Sequence, residues 1–140
     1  MIRISAILLI FTSCSQFDSD YINSVHPEIE PYYSAFIQDG KDRGADFSLS
    51  SIVLQFDELE GGIYGISIKE GNYYAKIFID RSEWDLLNEA DRYYTVYHEL
   101  GHALLDRRHE DHNGSIMSSS RSAMNRFANE PIPMINELFE

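Results

Sequence analysis

The 140-residue chain contains a single cysteine, Cys14. No intramolecular disulfide can form, and a multi-cysteine metal site is excluded. Positive charge is scarce as well: 11 Lys and Arg stand against 23 Asp and Glu, a formal net charge of −12. A surface that acidic repels phosphate backbones, which argues against a nucleic-acid partner. No apolar run approaches the ~20 residues that cross a bilayer as a helix. There is no internal repeat, and Ser118-Ser119-Ser120 is the only low-complexity tract. With 44% apolar and 24% charged residues, the composition is that of a folded globular protein, and the length suits one domain. What the chain has instead is a cluster: four of its five histidines fall between residues 98 and 112.

The first fourteen residues read as an address. Arg3 supplies one positive charge, Ile4 to Phe11 form an apolar run of signal-peptide length, and the small pair Thr12-Ser13 leads into Cys14. This segment resembles the lipobox of bacterial lipoproteins, with Phe11 where the usual residue is Leu. The resemblance implies cleavage before Cys14, lipidation of that cysteine, and export to a bacterial membrane, the outer one. The folded part would then face the periplasm or the cell exterior and touch the membrane through its lipid only. The expected organisation is a signal peptide over 1–13, the lipidated cysteine and a tether over 14–25, and a folded domain over 26–140.

Within that domain, His26-Pro27-Glu28 reads as a helix start, since proline and acids suit a first turn. Tyr32, Tyr33, Phe36 and Ile37 continue it on one stripe, with Gly40 and Gly44 as stop signals. Strands are expected at 51–56, 63–68 and 73–80, the last two joined by a turn at Glu70-Gly71-Asn72. Residues 80–87 read as a connector carrying Trp84. From Asn88 or Glu89 to about 105–107, Tyr93, Val96, Tyr97, Leu100 and Leu104 recur at spacings of three and four, the core stripe of an amphipathic helix. Polar residues dominate to Arg126, and a last short helix is expected at 133–139. The sum is a single α+β domain.

Residues 98–102 read His-Glu-Leu-Gly-His, inside the strongest helix. Two residues four apart on a helix project from one side, so the imidazoles of His98 and His102 can meet on one zinc ion at about 2.0–2.1 Å. Glu99 flanks that position. A catalytic zinc site takes three protein ligands and keeps one position open. His109 follows His102 by seven residues and would lie about 10.5 Å further along a continued helix. The chain must therefore turn back after Leu105, and Asp106 is the residue best suited to a left-handed turn. His112 is an alternative third ligand, and His26 reads as a cap or surface residue. Arg107 and Arg108 read as capping the helix C-terminus. The surplus acids read mostly as a solvated face, with a secondary, structural calcium site as the alternative reading.

The stretch HELGHALLDRRH followed by EDHNGSIM resembles the metzincin zinc peptidases, in particular matrixin-like and compact bacterial members. Their usual pattern is HExxHxxGxxH and then a methionine-containing turn, for which Ser115-Ile116-Met117 is the counterpart, Met117 lying eight residues after His109. Residues 77–84 resemble the strand end and tryptophan that precede the active-site helix, and the C-terminal Pro-Met-Ile-Asn-Glu-Leu-Phe resembles the last helix of small members. Two departures stand out: Leu105 replaces the family glycine, and the third histidine comes one residue late. The resemblance implies a small zincin-like α+β domain, a mixed twisted sheet with an active-site helix and a C-terminal helix, acting as a monomer.

The expected activity is peptide-bond hydrolysis. Zinc on His98, His102 and His109 would activate water, Glu99 would serve as general base, and Met117 would form the turn. The strand 63–68 would be an edge strand pairing with an extended protein or peptide substrate, through Tyr64, Gly65 and Ile66. Another enzyme reading takes the third ligand from Glu130 or Glu137. A non-enzyme reading is a lipid-anchored zinc protein whose cleft binds a partner without cutting it.

Overall fold

The computed structural model describes residues 23–47 and 51–140. The segment read as a signal peptide, Cys14 and most of the segment read as a tether lie outside the described residues. In chain order the elements are β1 (Ser24–Val25), α1 (Glu30–Asp42), β2 (Ser51–Asp57), β3 (Gly65–Glu70), β4 (Tyr74–Asp80), α2 (Arg81–Leu86), α3 (Glu89–Leu105), α4 (Arg121–Asn129) and α5 (Pro131–Leu138). The fold is α+β, as expected. Its four-stranded mixed sheet has the order β1-β2-β4-β3, with β2 parallel to β4 and β3 antiparallel to it at one edge. The short β1 extends the sheet into the segment read as tether, pairing Ser24 and Val25 with Val53 and Leu54.

Burial alternates along the strands, as a sheet covered on one face requires. Ile52 and Leu54 of β2 and Ala75, Ile77 and Ile79 of β4 are buried beneath the helices. Burying such side chains contributes roughly 1.5–3 kcal/mol each for the larger ones. Helix α3 supplies the other half of the core through Val96, Tyr97, Leu100 and Ala103. Helix α1 packs on α3 through aromatic edges, Phe36 against Tyr97 at 5.2 Å between centroids and Tyr32 against Tyr93 at 4.6 Å.

Several expectations are corrected. The segment from His26 to Ile29 is a turn whose His26 carbonyl accepts from the amides of Ile29 and Glu30, so α1 begins later. Gly40 does not stop α1 but lies within it, because a Cβ there would come 2.3 Å from Phe47 and 2.9 Å from Phe139. Gly44, with φ of +78°, lies just beyond the end. The supposed connector 80–87 contains α2. Its signal was present: Asp80 caps it by accepting from the Glu83 amide at 2.7 Å, and Asp-x-x-Glu is the spacing of a capping box. Helix α4 was likewise unexpected, although Ala123, Met124 and Phe127 are buried at helical spacing and Ser120 caps it.

Candidate metal centre and cleft

Helix α3 starts at the cap Asn88, whose side chain accepts from the Asp91 amide, with Glu89 and Asp91 in the first turn. Its apolar stripe is fixed in the core, which leaves His98 and His102 together on a partly exposed face. The helix ends at Leu105, and Asp106 then takes the left-handed conformation with φ of 54°. Among the described residues it is the only non-glycine with positive φ. Lys69 on β3 pairs with its carboxylate. The reversal returns the chain so that His109 reaches the other two histidines. The left-handed turn at Asp106 and the seven residues from His102 to His109 thus act together to bring in the third ring.

The three imidazoles converge. Nε2 of His98 lies 3.1 Å from Nε2 of His109 and 3.2 Å from Nε2 of His102. On their far sides, Nδ1 of His98 donates to the Ile116 carbonyl and Nδ1 of His102 to the Arg107 carbonyl, each at 2.7 Å. A carbonyl only accepts, so in both rings Nδ1 holds the proton and Nε2 presents its lone pair inward. Lone pairs so close repel unless a cation lies between them. Tetrahedral nitrogen ligands at 2.0–2.1 Å from zinc would sit about 3.3 Å apart, which the observed spacing fits. Burial, reinforced by the other two histidines, holds the His98 ring at about 4, favouring the neutral form a metal needs. The His102 ring is lowered for the same leading reason.

Glu99 is buried, with its carboxyl pushed up to about 8 by desolvation. It packs against the backbone of β3: a Cβ on Gly65 would sit 2.8 Å from Glu99 Cγ and 3.0 Å from Oε1. Ser67 of the same strand donates to the Glu99 carbonyl at 3.3 Å. Gly65 therefore makes room for the carboxylate. Tyr64 lines the cleft and its carbonyl accepts from the Asp80 amide. Ile66 lies on the outer side of the sheet opposite Phe78 and does not line the cleft.

The turn Ser115–Met117 is buried beneath α3. A Cβ on Gly101 would lie 2.5 Å from Met117 Sδ, so the glycine between the two helical histidines lets the methionine approach the helix. Tyr94 ties the turn down by donating to the Ser118 carbonyl, and the Glu110 amide donates to the Met117 carbonyl at 3.1 Å.

The other candidate ligands lie elsewhere. His112 is exposed and contacts Glu110 at 2.8 Å. Glu130 pairs with Arg126 at 3.0 Å. Glu137 pairs with Arg107, which also holds Glu110 at 2.6 Å. None of the three joins the histidine cluster. The Arg107 amide closes α3 by donating to the Gly101 carbonyl at 3.1 Å, whereas its guanidinium leaves that helix end and donates to the carbonyls of Glu137 and Leu138 at the end of α5. The carbonyls of Ile116 and Arg107 were beyond sequence reasoning, because no residue type marks a backbone acceptor. His26 lies far from the cluster in sequence and packs edge-on against Phe56.

A cavity of about 430 Å³ opens beside the cluster, lined by His98, Glu99, His109, Tyr64 and residues 118–121 among others. That volume suits a few side chains of a bound ligand. Compared with known proteins, the chain matches no family model, no curated protein and no solved structure.

Proposed function

We propose that the protein is a zinc-dependent endopeptidase of metzincin type, with His98, His102 and His109 as zinc ligands and Glu99 as general base. The observation that carries this reading is the convergence of three imidazoles, with Nε2 of His98 3.1 Å from Nε2 of His109 and 3.2 Å from Nε2 of His102, beside a buried carboxyl on a cleft wall. A structural zinc site has no need of such a carboxyl.

Zinc at this position supplies a Lewis acid that polarises a carbonyl and lowers the pKa of water to about 7. The chain's own residues do the rest. The carbonyls of Ile116 and Arg107 hold the imidazoles of His98 and His102 in the ligating tautomer and orientation. Glu99 takes the proton of the attacking water and passes it to the leaving amine. The Glu99 carboxyl stands beside the three imidazoles, where a cation held by them would favour its ionised form. Gly65 and β3 fix its position. The free edge of β3 offers backbone donors and acceptors to an extended peptide laid beside it. The lipoprotein reading of Cys14 belongs to the same proposal and places the domain on an exported, membrane-tethered chain.

The test is digestion of an unbiased peptide library by the zinc-loaded chain, with Glu99→Ala alongside. Cuts that vanish in the variant while its zinc content stays equal support the reading. A folded chain holding one zinc but cutting nothing would turn it toward a partner-binding cleft, and a chain that takes up no zinc would refute it.

A further inference from the structure

Among the described residues, the cleft wall carries one Lys or Arg side chain, Arg121. It opens α4 and is about half exposed, with a side-chain exposure of 56%. Its contacts are weak for a guanidinium. Nη1 lies 3.4 Å from the Tyr64 hydroxyl and 3.0 Å from the Met124 thioether, a poor acceptor. Nη2 lies 3.4 Å from Asp91 Oδ2, a carboxylate oxygen that also accepts from Asn88 Nδ2 at 3.1 Å. Charge-assisted pairs normally close to about 2.7–2.9 Å. Four other arginines hold a carboxylate at 3.0 Å or less: Arg43 with Asp39, Arg81 with Glu28, Arg107 with Glu110, and Arg126 with Glu130. Arg121 alone combines a long ion pair with a place on the cavity wall.

A guanidinium has five donors in a planar fork that matches a carboxylate in two-point contact. Among the described residues the wall holds a single acid, Glu99, and is otherwise chiefly uncharged, with Tyr64, Tyr94, Thr95 and Ser118–Ser120. A cavity of about 430 Å³ has room for only a few side chains, so a group reaching Arg121 belongs to a residue close to the bond under attack.

We infer that the cleft selects a substrate carboxylate beside the scissile bond and that Arg121 receives it. This rests on the peptidase reading above. The carboxylate can be a Glu or Asp side chain or the free C-terminus of a short peptide. Both satisfy the same fork, and the experiment separates them.

Peptides that differ only in Glu against Gln at each position flanking the cut are digested by the zinc-loaded chain, each as free acid and as C-terminal amide. At least a tenfold advantage in kcat/KM for Glu at one position, unchanged by amidation, assigns a side-chain carboxylate. An advantage that follows the free acid assigns the C-terminus. In either case Arg121→Gln removes the ratio and Arg121→Glu reverses it toward Lys or an amide. Equal rates for Glu and Gln, acid and amide, overturn the inference, as does a preference that survives Arg121→Gln. Binding of the same peptides to the zinc-loaded Glu99→Gln variant, read by fluorescence anisotropy, decides the point without turnover. A tenfold tighter Kd for the carboxylate supports the inference even if the wild type cuts nothing, the result that would sink the peptidase reading alone. Equal Kd values overturn it.

Discussion

Gly65 and Glu99 occupy adjoining space that no side chain at position 65 could share. The missing Cβ would lie 2.8 Å from Cγ and 3.0 Å from Oε1 of the carboxylate. Gly65→Ala must therefore push Glu99 from its place or displace the edge strand. A shift of about 1 Å in a reacting group can cost 10²-fold in rate. The expected outcome is a fall of about that size in kcat/KM, with zinc content unchanged because no ligand moves. Zinc analysis alongside peptide hydrolysis checks it. Full activity in Gly65→Ala would remove the positional role given to Glu99.

Gly101 and Met117 make the corresponding contact on the other side of α3. A Cβ at 101 meets Met117 Sδ at 2.5 Å and Leu138 at 3.2 Å, both in fully packed surroundings. Alanine favours a helix over glycine by about 1 kcal/mol, but overpacking a core costs about 1–3 kcal/mol. Gly101→Ala is therefore expected to lower stability, despite its better propensity. Urea unfolding of the metal-free protein measures this, and a stabilised variant would mean that the turn yields freely.

Asp106 sets where His109 arrives. Its φ of 54° suits Asp, Asn or Gly and penalises a β-branched residue by about 1–2 kcal/mol. Asp106→Gly is expected to keep zinc affinity within about threefold, the left-handed turn being preserved. Asp106→Val is expected to weaken affinity about tenfold or more, as the strained turn displaces His109. Competition titration with a chelator distinguishes the two.

These elements differ in how far the sequence discloses them. Helix α3 and the pairing of His98 with His102 follow from local spacing, and the turn at Asp106 follows from requiring a third ligand seven residues on. Each needs knowledge only of nearby residues. Gly40 reads locally as a stop signal, yet its reason for being glycine lies in Phe47 and Phe139, the latter 99 positions away. Gly65, read as pairing with substrate, has a second reason for being glycine that the sequence hides for the same cause: its neighbour Glu99 belongs to a distant helix. Arg107 closes its own helix through the backbone amide, yet the carbonyl acceptors of its guanidinium lie at the end of α5. Helix α2 was different, since its capping signal is local and was simply outweighed by its shortness. Contacts that depend on how elements pack are invisible to periodicity, and most of the cleft wall is made of them.

His109 and His112 are three residues apart but have different surroundings. His109 Nε2 lies 3.1 Å from His98 Nε2, whereas His112 contacts Glu110. His109→Ala removes one of three ligands and is expected to reduce zinc affinity by 10²-fold or more, roughly the upper end of the loss from removing an outer-shell partner. His112→Ala is expected to leave it within about threefold. Comparable losses from both would show that the loop rearranges to supply either ring.

Glu99 and His98 give the metal-free protein opposite dependences on pH. The Glu99 carboxyl is held at about 8 against an ordinary 4.5, so between those values the folded state carries a proton the unfolded chain has lost. Stability from this group is fully present below pH 4.5 and falls as pH rises toward 8. The His98 ring is held at about 4 against 6.5. Its contribution is present above pH 6.5 and is lost as pH falls toward 4, with His102 lowered in the same sense. Between about 4.5 and 6.5 the terms oppose each other. From 6.5 to 8 Glu99 acts without that opposition, and one proton corresponds to a slope of about 1.4 kcal/mol per pH unit at most. Urea midpoints of the metal-free chain should therefore decline across that interval, while those of Glu99→Gln, which keeps the shape and cannot ionise, should stay level. Parallel curves for the two proteins would mean that the carboxyl is already solvated in the folded state, and a buried general base would no longer be tenable.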